Sequence, residues 1–324
     1  MRRSASNPIL TRADIKPVES SLVDVSAVFN PGAVKLDSTV VLLLRVQNRG
    51  RETLFVTARS RDGVHFEVAD SEFVIDGVEA AAGEVFHMYD PRITVLDGRI
   101  LILAALDRPD GCCLGLVETE DFSRGRFLGV VSGNDVRNGV LFPERIGNAY
   151  LRLDRPNTQL LAGGVKTGSE IHLSESHDLI HWRDRGAVMS GRPHFWDELI
   201  GAGTPPLRTE AGWLFLYHGV ATHFASTNIY PVGAALLDLE DPRIVIGRTR
   251  YNILEPREPY ELVGQVPNVV FPSGWVVEPL DSAACAKSDS NVFVYYGAAD
   301  TAIGLATTTV GRLIEQCRDG STDG

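Results

Sequence analysis

The chain has 324 residues, of which 44% are hydrophobic and 23% are charged, a composition typical of a globular protein with a large core. Its net charge of −11 argues against nucleic acid as the main partner, because a phosphate backbone is bound by a basic surface. No apolar run approaches the roughly 20 residues of a membrane span. The basic first residues also lack the apolar segment of a secretory signal. We therefore expect a cytoplasmic protein that does not bind membranes.

The predicted elements are strand pairs that repeat one pattern. A short apolar strand ends in a polar or aromatic residue, and a strand rich in small and polar residues follows it. The first strands are predicted at residues 40–45, 100–106, 150–155, 213–218 and 291–296, and the second strands at 53–60, 113–119, 170–176, 233–239 and 302–308. Three second strands lead into polar turns that carry an aspartate, and we assign Asp62, Asp121 and Asp178 to these hairpin turns.

Five copies of one strand pair are typical of a β-propeller whose blades carry loops. We predict an all-β fold, a single five-bladed β-propeller over residues 1–324 with a central active-site cavity. Residues 1–25 are assigned to an N-terminal extension and 309–324 to a C-terminal tail, in which 312–318 form a short helix. The segment 272–290, rich in Ser, Ala and Asp, is predicted as a surface loop. A β-sandwich is the alternative fold, but it does not explain five copies.

Asp90 stands between a tyrosine and a proline, just before a strand predicted at residues 93–95. Because proline disfavours the helical region for the residue before it, we expect an extended, stiff backbone at Asp90. A carboxylate held in this way suits a catalytic acid. The alternative interpretation is that Asp90 caps a turn, as aspartates before proline often do.

Other polar residues lie at equivalent strand edges, which converge on one cavity in a propeller. They are Asn30, Arg45, Arg137, Asn138, Arg155, His218 and Asp300. Arginine side chains suit phosphate or carboxylate groups, so this ring predicts a pocket for a sugar or a phosphate.

These residues also have structural interpretations. Arg45 and Arg155 would then form ion pairs between blades, His218 would be a core histidine, and Tyr89, Tyr217 and Tyr230 would only pack. Four cysteines are expected to be free thiols, and the adjacent Cys112 and Cys113 point to opposite faces of a strand. No spacing of metal ligands is visible.

Several longer motifs follow one another along nearly the whole chain. They are Phe29-Asn30-Pro31-Gly32-Ala33, Leu42-Leu43-Leu44-Arg45, Tyr89-Asp90-Pro91-Arg92, Leu141-Phe142-Pro143-Glu144, Asp154-Arg155-Pro156-Asn157, Gly201-Ala202-Gly203, the segment 212–219, the segment 235–242, and Tyr295-Tyr296-Gly297-Ala298-Ala299-Asp300. In these motifs the chain resembles the mannoside phosphorylases and mannosidases of glycoside hydrolase family 130. It also resembles the related mannosyltransferase/phosphorylases of glycosyltransferase family 108.

The resemblance implies a five-bladed propeller with one catalytic acid, Asp90. This residue would protonate the leaving oxygen through the mannose 3-hydroxyl, while phosphate attacks the anomeric carbon from the opposite face with inversion. The implied mannose-binding residues are Asn30, Arg45, Tyr89 and Asp300. The implied phosphate-binding residues are Arg137, Asn138, Arg155, His218 and Tyr230. Inorganic phosphate is then a co-substrate, and we expect no cofactor or metal.

The chain departs from the family pattern at one position. Phosphorylases of the family commonly carry a lysine just before the Ile-Gly-Ala-Gly stretch, and Leu199 occupies that place here. Arg208 is an alternative source of the charge. Because hydrolytic members gain carboxylates as they lose the basic site, Asp197 and Glu198 keep hydrolysis open as an alternative. A loosened anion site is also compatible with a GDP-mannose donor.

We predict an inverting β-mannoside phosphorylase that reversibly converts β-1,2-mannan oligosaccharide and phosphate to α-mannose 1-phosphate. The alternatives are a GDP-mannose-dependent β-1,2-mannosyltransferase, a β-mannosidase, and a carbohydrate-binding propeller without catalysis. The intact Tyr-Asp-Pro-Arg motif argues against the last of these. The β-1,2 linkage is inferred from likeness to the shorter intracellular members of the family. The resemblance also implies a homo-oligomer, although the sequence has no visible interface signature.

Overall fold

The computed structural model describes residues 1–16, 22–160, 166–222 and 227–320. The chain is all-β, and its strands form five largely antiparallel arrays in chain order, with β1 (Arg2–Arg3) added to the last array. The first array contains β2 (Val25–Leu36), β3 (Thr39–Asn48), β4 (Thr53–Ser60) and β5 (Glu67–Glu72). The second contains β6 (Val74–Asp76), β7 (His87–Leu96), β8 (Arg99–Arg108), β9 (Gly111–Thr119) and β10 (Arg124–Val130), with β6 parallel to β10.

The third array contains β11 (Val136–Leu141), β12 (Tyr150–Pro156), β15 (Glu170–Ser176) and β16 (Trp182–Ser190), and β13 (Gln159–Leu160) and β14 (Lys166–Thr167) form a separate two-stranded sheet. The fourth contains β17 (Leu199–Ala202), β18 (Leu207–Thr209), β19 (Gly212–Val220), β20 (Val232–Leu237) and β21 (Val245–Arg248). The fifth contains β22 (Val270–Leu280), β23 (Ala286–Ala298) and β24 (Ala302–Thr309). One parallel pair, Thr209 with Ala286, joins the last two arrays into one sheet.

The helices are short: a 3₁₀ turn at Arg12–Asp14, α1 (Val78–Ala82), α2 (Pro259–Leu262) and α3 (Val310–Asp319). The predicted C-terminal helix at 312–318 is confirmed by α3, which buries Val310, Leu313 and Cys317. No helix in the described part of the chain is long and apolar enough to span a membrane. The four cysteines are free and buried.

All five predicted strand pairs are confirmed, as β3–β4, β8–β9, β12–β15, β19–β20 and β23–β24. The turn assignment of the three aspartates is also confirmed. Asp62 and Asp178 each accept two backbone N–H groups within their turns, and Asp121 accepts one.

The surface loop predicted at 272–290 is wrong, because β22 and β23 run through most of that segment and pair as far as Leu280 and Ala286. Small and polar residues are compatible with a strand whose outer part is exposed, and the inner part of this hairpin buries Trp275 and Val276.

The core consists of apolar layers between successive arrays. In β3, Val41 and Leu43 face the second array, whereas Leu42 and Leu44 face the fifth, because consecutive side chains of a strand point to opposite faces. Similar layers lie between the second and third, the third and fourth, and the fourth and fifth arrays. The fifth array therefore packs against the first as well as against the fourth.

Candidate active site

All ten residues predicted for the site lie on the wall of one cavity of about 340 Å³. They are Asn30, Arg45, Tyr89, Asp90, Arg137, Asn138, Arg155, His218, Tyr230 and Asp300. The cavity is thus lined by strands of the first four arrays and by the turn between β23 and β24. The structure brings together every residue of the predicted ring.

Bulges at the cavity ends of β2, β7 and β11 turn three of these side chains out of the regular alternation. The register of each strand against its partner shifts at Asn30-Pro31, at Asp90-Pro91 and at Asn138-Gly139. A bulge inserts an extra residue into a strand and re-aims a side chain, and all three strands have such a bulge at a residue that lines the cavity.

The backbone prediction for Asp90 is wrong. Asp90 lies inside β7 rather than before the strand, and its φ is +55°, in the left-handed region. The neighbouring structure maintains this uncommon conformation, since Arg92 Nη1 donates to the Asp90 carbonyl at 2.7 Å. Arg92 Nε in turn donates to the Gly203 carbonyl at 3.2 Å, which fixes the arginine beneath the cavity.

Two arginines surround the Asp90 carboxylate. Arg45 Nη1 lies 3.3 Å from Oδ1, and Arg92 Nη1 lies 3.6 Å from Oδ2. Burial alone would raise the pKa of Asp90, but the charges of Arg92 and Arg45 outweigh it and hold that pKa below its usual value. Arg45 is itself placed by aromatic rings, with Cζ 4.1 Å from the centre of Phe29 and 4.9 Å from that of Tyr89. Arg45 of the first array therefore pairs with Asp90 of the second array, and both residues line the cavity.

Asp300 also lines the cavity, and its environment is the opposite of that of Asp90. It lies in the turn between β23 and β24 with a φ of +49°. Burial raises the pKa of Asp300 to about 6, Arg45 opposes this shift, and the charge of Asp90 adds to it. The cavity therefore holds one carboxyl group that stays ionised to low pH and one that takes up a proton in mildly acidic solution.

Another part of the wall is positive. Arg155 is 7% exposed and donates to the neutral side chain of Asn157, at 3.2 Å from Nε and 3.0 Å from Nη2. Burial, reinforced by the charge of Arg137, lowers the pKa of Arg155 to about 10, so the side chain remains charged at neutral pH. The carboxylate paired with the Arg137 guanidinium is that of Asp107, and this pair is loose, with Nη2 3.5 Å from Oδ1. Two neighbouring guanidinium groups with little counter-charge form a site for an anion.

His218 and Tyr230 complete this part of the wall, with ring centres 6.5 Å apart. His218 is 1% exposed, yet it lines the cavity. Burial, with the charges of Arg155 and Arg92, lowers its pKa well below the usual value, so the imidazole is neutral at neutral pH. Glycine is required opposite it, because a Cβ at Gly201 would lie 2.4 Å from His218 Cε1.

Several buried polar atoms of the site have no hydrogen-bond partner in the described structure. They are Asn30 Nδ2, Arg45 Nε, Arg92 Nη2, Arg137 Nε, Asn138 Oδ1 and His218 Nδ1. Buried polar groups in folded proteins are nearly always paired. Their concentration around one cavity indicates a site that a polar ligand completes.

Sequence reasoning missed four residues of this region: Arg92, Asp107, Lys166 and Phe271. Arg92 lies in the Tyr-Asp-Pro-Arg motif but received no role. Asp107 accepts a hydrogen bond from the Tyr89 hydroxyl at 2.8 Å. It directly follows the strand predicted at 100–106, and a polar residue at a strand edge is the signal that identified Arg45. Phe271 packs on His218, with ring centres 4.5 Å apart. Lys166 lies in the hairpin β13–β14, which was not predicted.

The residues proposed around Leu199 have other partners. Leu199 itself lines the cavity. Arg208 pairs with Glu144 at 3.0 Å and is absent from the described cavity wall, so it is not the missing charge. Asp197 is fully buried and pairs with Arg192 at 2.7 Å, and Glu198 accepts the Thr222 hydroxyl. Neither carboxylate is part of the described cavity wall, so the structure does not support the hydrolytic alternative that was based on them.

Comparison with known proteins identifies the family of the chain. The family model described as beta-1,4-mannooligosaccharide phosphorylase, Glyco_hydro_130, matches residues 1–319. A 1,2-beta-oligomannan phosphorylase of Thermoanaerobacter sp. is 30% identical, over 94% of this chain and 96% of that protein. A beta-1,4-mannooligosaccharide phosphorylase of Ruminococcus albus is 29% identical, over 99% of this chain and 91% of that protein.

The solved structures include a close match in fold. The beta-1,2-mannobiose phosphorylase from Listeria innocua, in complex with beta-1,2-mannobiose, superimposes with a TM-score of 0.83 at 28% identity. The match covers 98% of this chain and 99% of that one. Since both the family model and these relatives extend over nearly the whole sequence, the chain is an enzyme that belongs to glycoside hydrolase family 130.

Proposed function

We propose that this enzyme is an inverting β-mannoside phosphorylase that reversibly converts a β-mannoside and phosphate to α-mannose 1-phosphate. One observation carries the proposal: a held carboxylate, Asp90, shares a cavity with two arginines that lack adequate counter-charge. Arg45 and Asn30 lie beside the carboxylate, whereas Arg155 and Arg137 line another part of the wall. A sugar bound between them would expose its anomeric carbon to an anion on the side away from the acid.

In the proposed reaction, Asp90 supplies the proton that reaches the glycosidic oxygen through the mannose 3-hydroxyl. The bond between that oxygen and the anomeric carbon breaks, and a phosphate oxygen forms the new bond from the opposite face. Inversion thus converts the β-linkage to an α-phosphate. Asn30, Arg45, Tyr89 and Asp300 are proposed to bind the mannose. Arg137, Asn138, Arg155, His218 and Tyr230 are proposed to bind the phosphate.

The low pKa of Asp90 in the free enzyme must rise before the residue can act as an acid. Phosphate provides a physical means for this change. An anion near a carboxyl group favours the protonated form of that group, and it also offsets the positive charge of the arginines. We therefore propose that phosphate binding both delivers the nucleophile and enables Asp90 to hold its proton.

For the linkage we propose β-1,2. The Thermoanaerobacter relative and the Listeria structure are both named for this linkage. The family description and the Ruminococcus relative name β-1,4 instead, and the Ruminococcus relative is 29% identical to this chain, against 30% for the Thermoanaerobacter relative. The two linkages must therefore be compared directly.

We further propose that the five arrays are the blades of one β-propeller, which forms a single domain around the cavity. The apolar layers support this arrangement, since each array packs on the next and the fifth packs on the first. Such a ring places the cavity-lining bulges of successive arrays around one axis.

The test is product analysis with β-1,2-mannobiose and β-1,4-mannobiose, each with and without phosphate. Mannose 1-phosphate that forms only with phosphate, and faster from the β-1,2 substrate, is the expected result. Free mannose formed regardless of phosphate would indicate a hydrolase and overturn the proposal. If neither disaccharide reacts, GDP-mannose becomes the donor to test with the same acceptors.

A further inference from the structure

A lysine outside the predicted set lies at the positive part of the cavity. Lys166 and its neighbour Thr167 both line the wall, on strand β14 of the small hairpin. The next residue, Gly168, packs closely on Arg155. A Cβ added at Gly168 would lie only 3.1 Å from Arg155 Cγ. The hairpin therefore runs directly alongside the buried arginine.

The ammonium group of Lys166 also lies close to the segment of the second arginine. Lys166 Nζ is 2.6 Å from Asp135 Oδ2, and Asp135 precedes Arg137 by two residues. The hairpin thus places a third cation next to the chain segments that carry Arg137 and Arg155. Leu199, on the same cavity wall, contributes no charge.

The ion pair between Lys166 and Asp135 is partly exposed to solvent. The side chain of Lys166 is 55% exposed and that of Asp135 is 31% exposed. Exposed ion pairs contribute little to stability, because water screens them and both side chains lose conformational freedom. A lysine on a flexible stem can therefore exchange such a partner for a phosphate at low cost.

We propose that Lys166 is a further phosphate-binding residue, which covers the anion held by Arg137 and Arg155. This inference rests on the proposed function, because it assumes that the arginines bind phosphate. Three cationic side chains then surround the anion, from β11, β12 and the hairpin. A structural role, in which Lys166 only ties the hairpin to Asp135, is the alternative.

The two roles predict different results for the two halves of the ion pair. If Lys166 only holds the hairpin to Asp135, Lys166→Met and Asp135→Asn break the same contact and should have the same effect on the KM for phosphate. If Lys166 binds phosphate, Lys166→Met loses a cationic contact, whereas Asp135→Asn leaves the ammonium free for the anion. Lys35→Met is the matched control, because Lys35 also forms a half-exposed ion pair, with Glu278, outside the described cavity wall.

The experiment measures KM for phosphate and for the mannoside in each variant. It also measures the rise in Tm that phosphate produces at constant ionic strength, which reports binding without turnover. We expect Lys166→Met to raise the KM for phosphate by about tenfold, the size of one charge-assisted contact, and to change the KM for the mannoside less than twofold. We expect Lys166→Arg to restore most of the loss, and Asp135→Asn and Lys35→Met to leave the KM for phosphate unchanged or lower.

Equal losses in Lys166→Met and Asp135→Asn would overturn the proposal in favour of the tie, and so would an unchanged KM for phosphate in Lys166→Met. A wild-type enzyme whose Tm does not respond to phosphate would instead overturn the phosphate site itself. The two failures are therefore distinguishable.

Discussion

Strand β12 carries two buried arginines three residues apart, one in the core and one at the cavity. Arg152 is 2% exposed, and its Nε donates to Asp154 Oδ2 at 2.8 Å. Its Nη1 donates to the Val131 carbonyl at 2.8 Å, and its Cζ lies 4.3 Å from the centre of the Trp182 ring. Arg155, almost equally buried, has a neutral amide as its side-chain partner.

Burial alone therefore does not distinguish the two arginines, and we infer that the missing counter-ion marks the one that binds a ligand. Burial lowers the pKa of both side chains, and at Arg152 the charge of Asp154 opposes this effect. A buried charge without a counter-ion is costly, and such groups are concentrated at sites where a ligand supplies the opposite charge. The cavity end of β12 should therefore serve binding, and the core end should serve stability.

We expect the largest effect on the rate from a substitution of Asp90, the proposed catalytic acid. Asp90→Asn removes the proton donor but preserves the shape of the side chain, so we expect phosphorolysis to fall by roughly 10²–10⁴-fold. The measurement is the initial rate of mannose 1-phosphate release at saturating phosphate. A variant that retains the wild-type rate would show that Asp90 is not the catalytic acid.

Arg152→Ala tests whether the core end of β12 contributes to stability rather than to binding. This substitution leaves the Asp154 carboxylate buried without its partner, and breaking such a pair typically costs about 3–5 kcal/mol. Urea unfolding should show this loss. The folded fraction should keep the wild-type KM for phosphate, and a large increase in that KM would place Arg152 in the site rather than the core.

The cavity end is tested by Arg155→Ala. We expect the efficiency with phosphate to fall by about 10–100-fold, since a charge-assisted contact contributes roughly 1.5–3 kcal/mol. The KM for the mannoside should change far less. Because the substitution removes a buried charge that lacks a counter-ion, Tm in phosphate-free buffer should not fall. Unchanged phosphate dependence would remove Arg155 from the site.

Sequence reasoning selected Arg155, because it ends the predicted strand 150–155, and gave no role to Arg152 of the same strand, in Leu-Arg-Leu-Asp-Arg. It could predict the strands, since the apolar pattern and the polar turns are local signals. The turns after β4 and β15 are an example, where Ser60 with Asp62 and Ser176 with Asp178 form the same contacts. Motif resemblance, rather than pattern, supplied the division of the ring between mannose and phosphate.

The missed features depend on contacts between distant residues. The left-handed backbone of Asp90 requires a bulge and a buried Arg92, and neither alters the local pattern that predicted an extended residue. Arg208 was considered as an alternative source of the charge, but its partner Glu144 lies 64 residues away in sequence. The hairpin that positions Lys166 has only two residues in each strand, too few for a periodic signal.

The same rule about counter-ions applies to Asp90 and Asp300 of the cavity wall and gives the smallest predicted effect. Asp90 has Arg92 and Arg45 against it, whereas Asp300 has no hydrogen bond in the described structure, and burial raises its pKa to about 6. Between the usual pKa of 3.8 and about 6, the folded state binds more protons at Asp300 than the unfolded state does. The stability contributed by this group must then fall as the pH rises through that window.

The test is Asp300→Asn, which does not titrate. Urea unfolding at pH 4 and pH 7 should show the stability of the wild type, relative to this variant, decreasing by about 1–2 kcal/mol on going to pH 7, after allowance for partial exposure. Asp178→Asn is the control, because the hydrogen bond from His181 lowers the pKa of Asp178 and reverses the sign of the slope. Parallel pH profiles for the wild type and Asp300→Asn would mean that Asp300 has a compensating partner, and would remove the contrast between the two carboxyl groups.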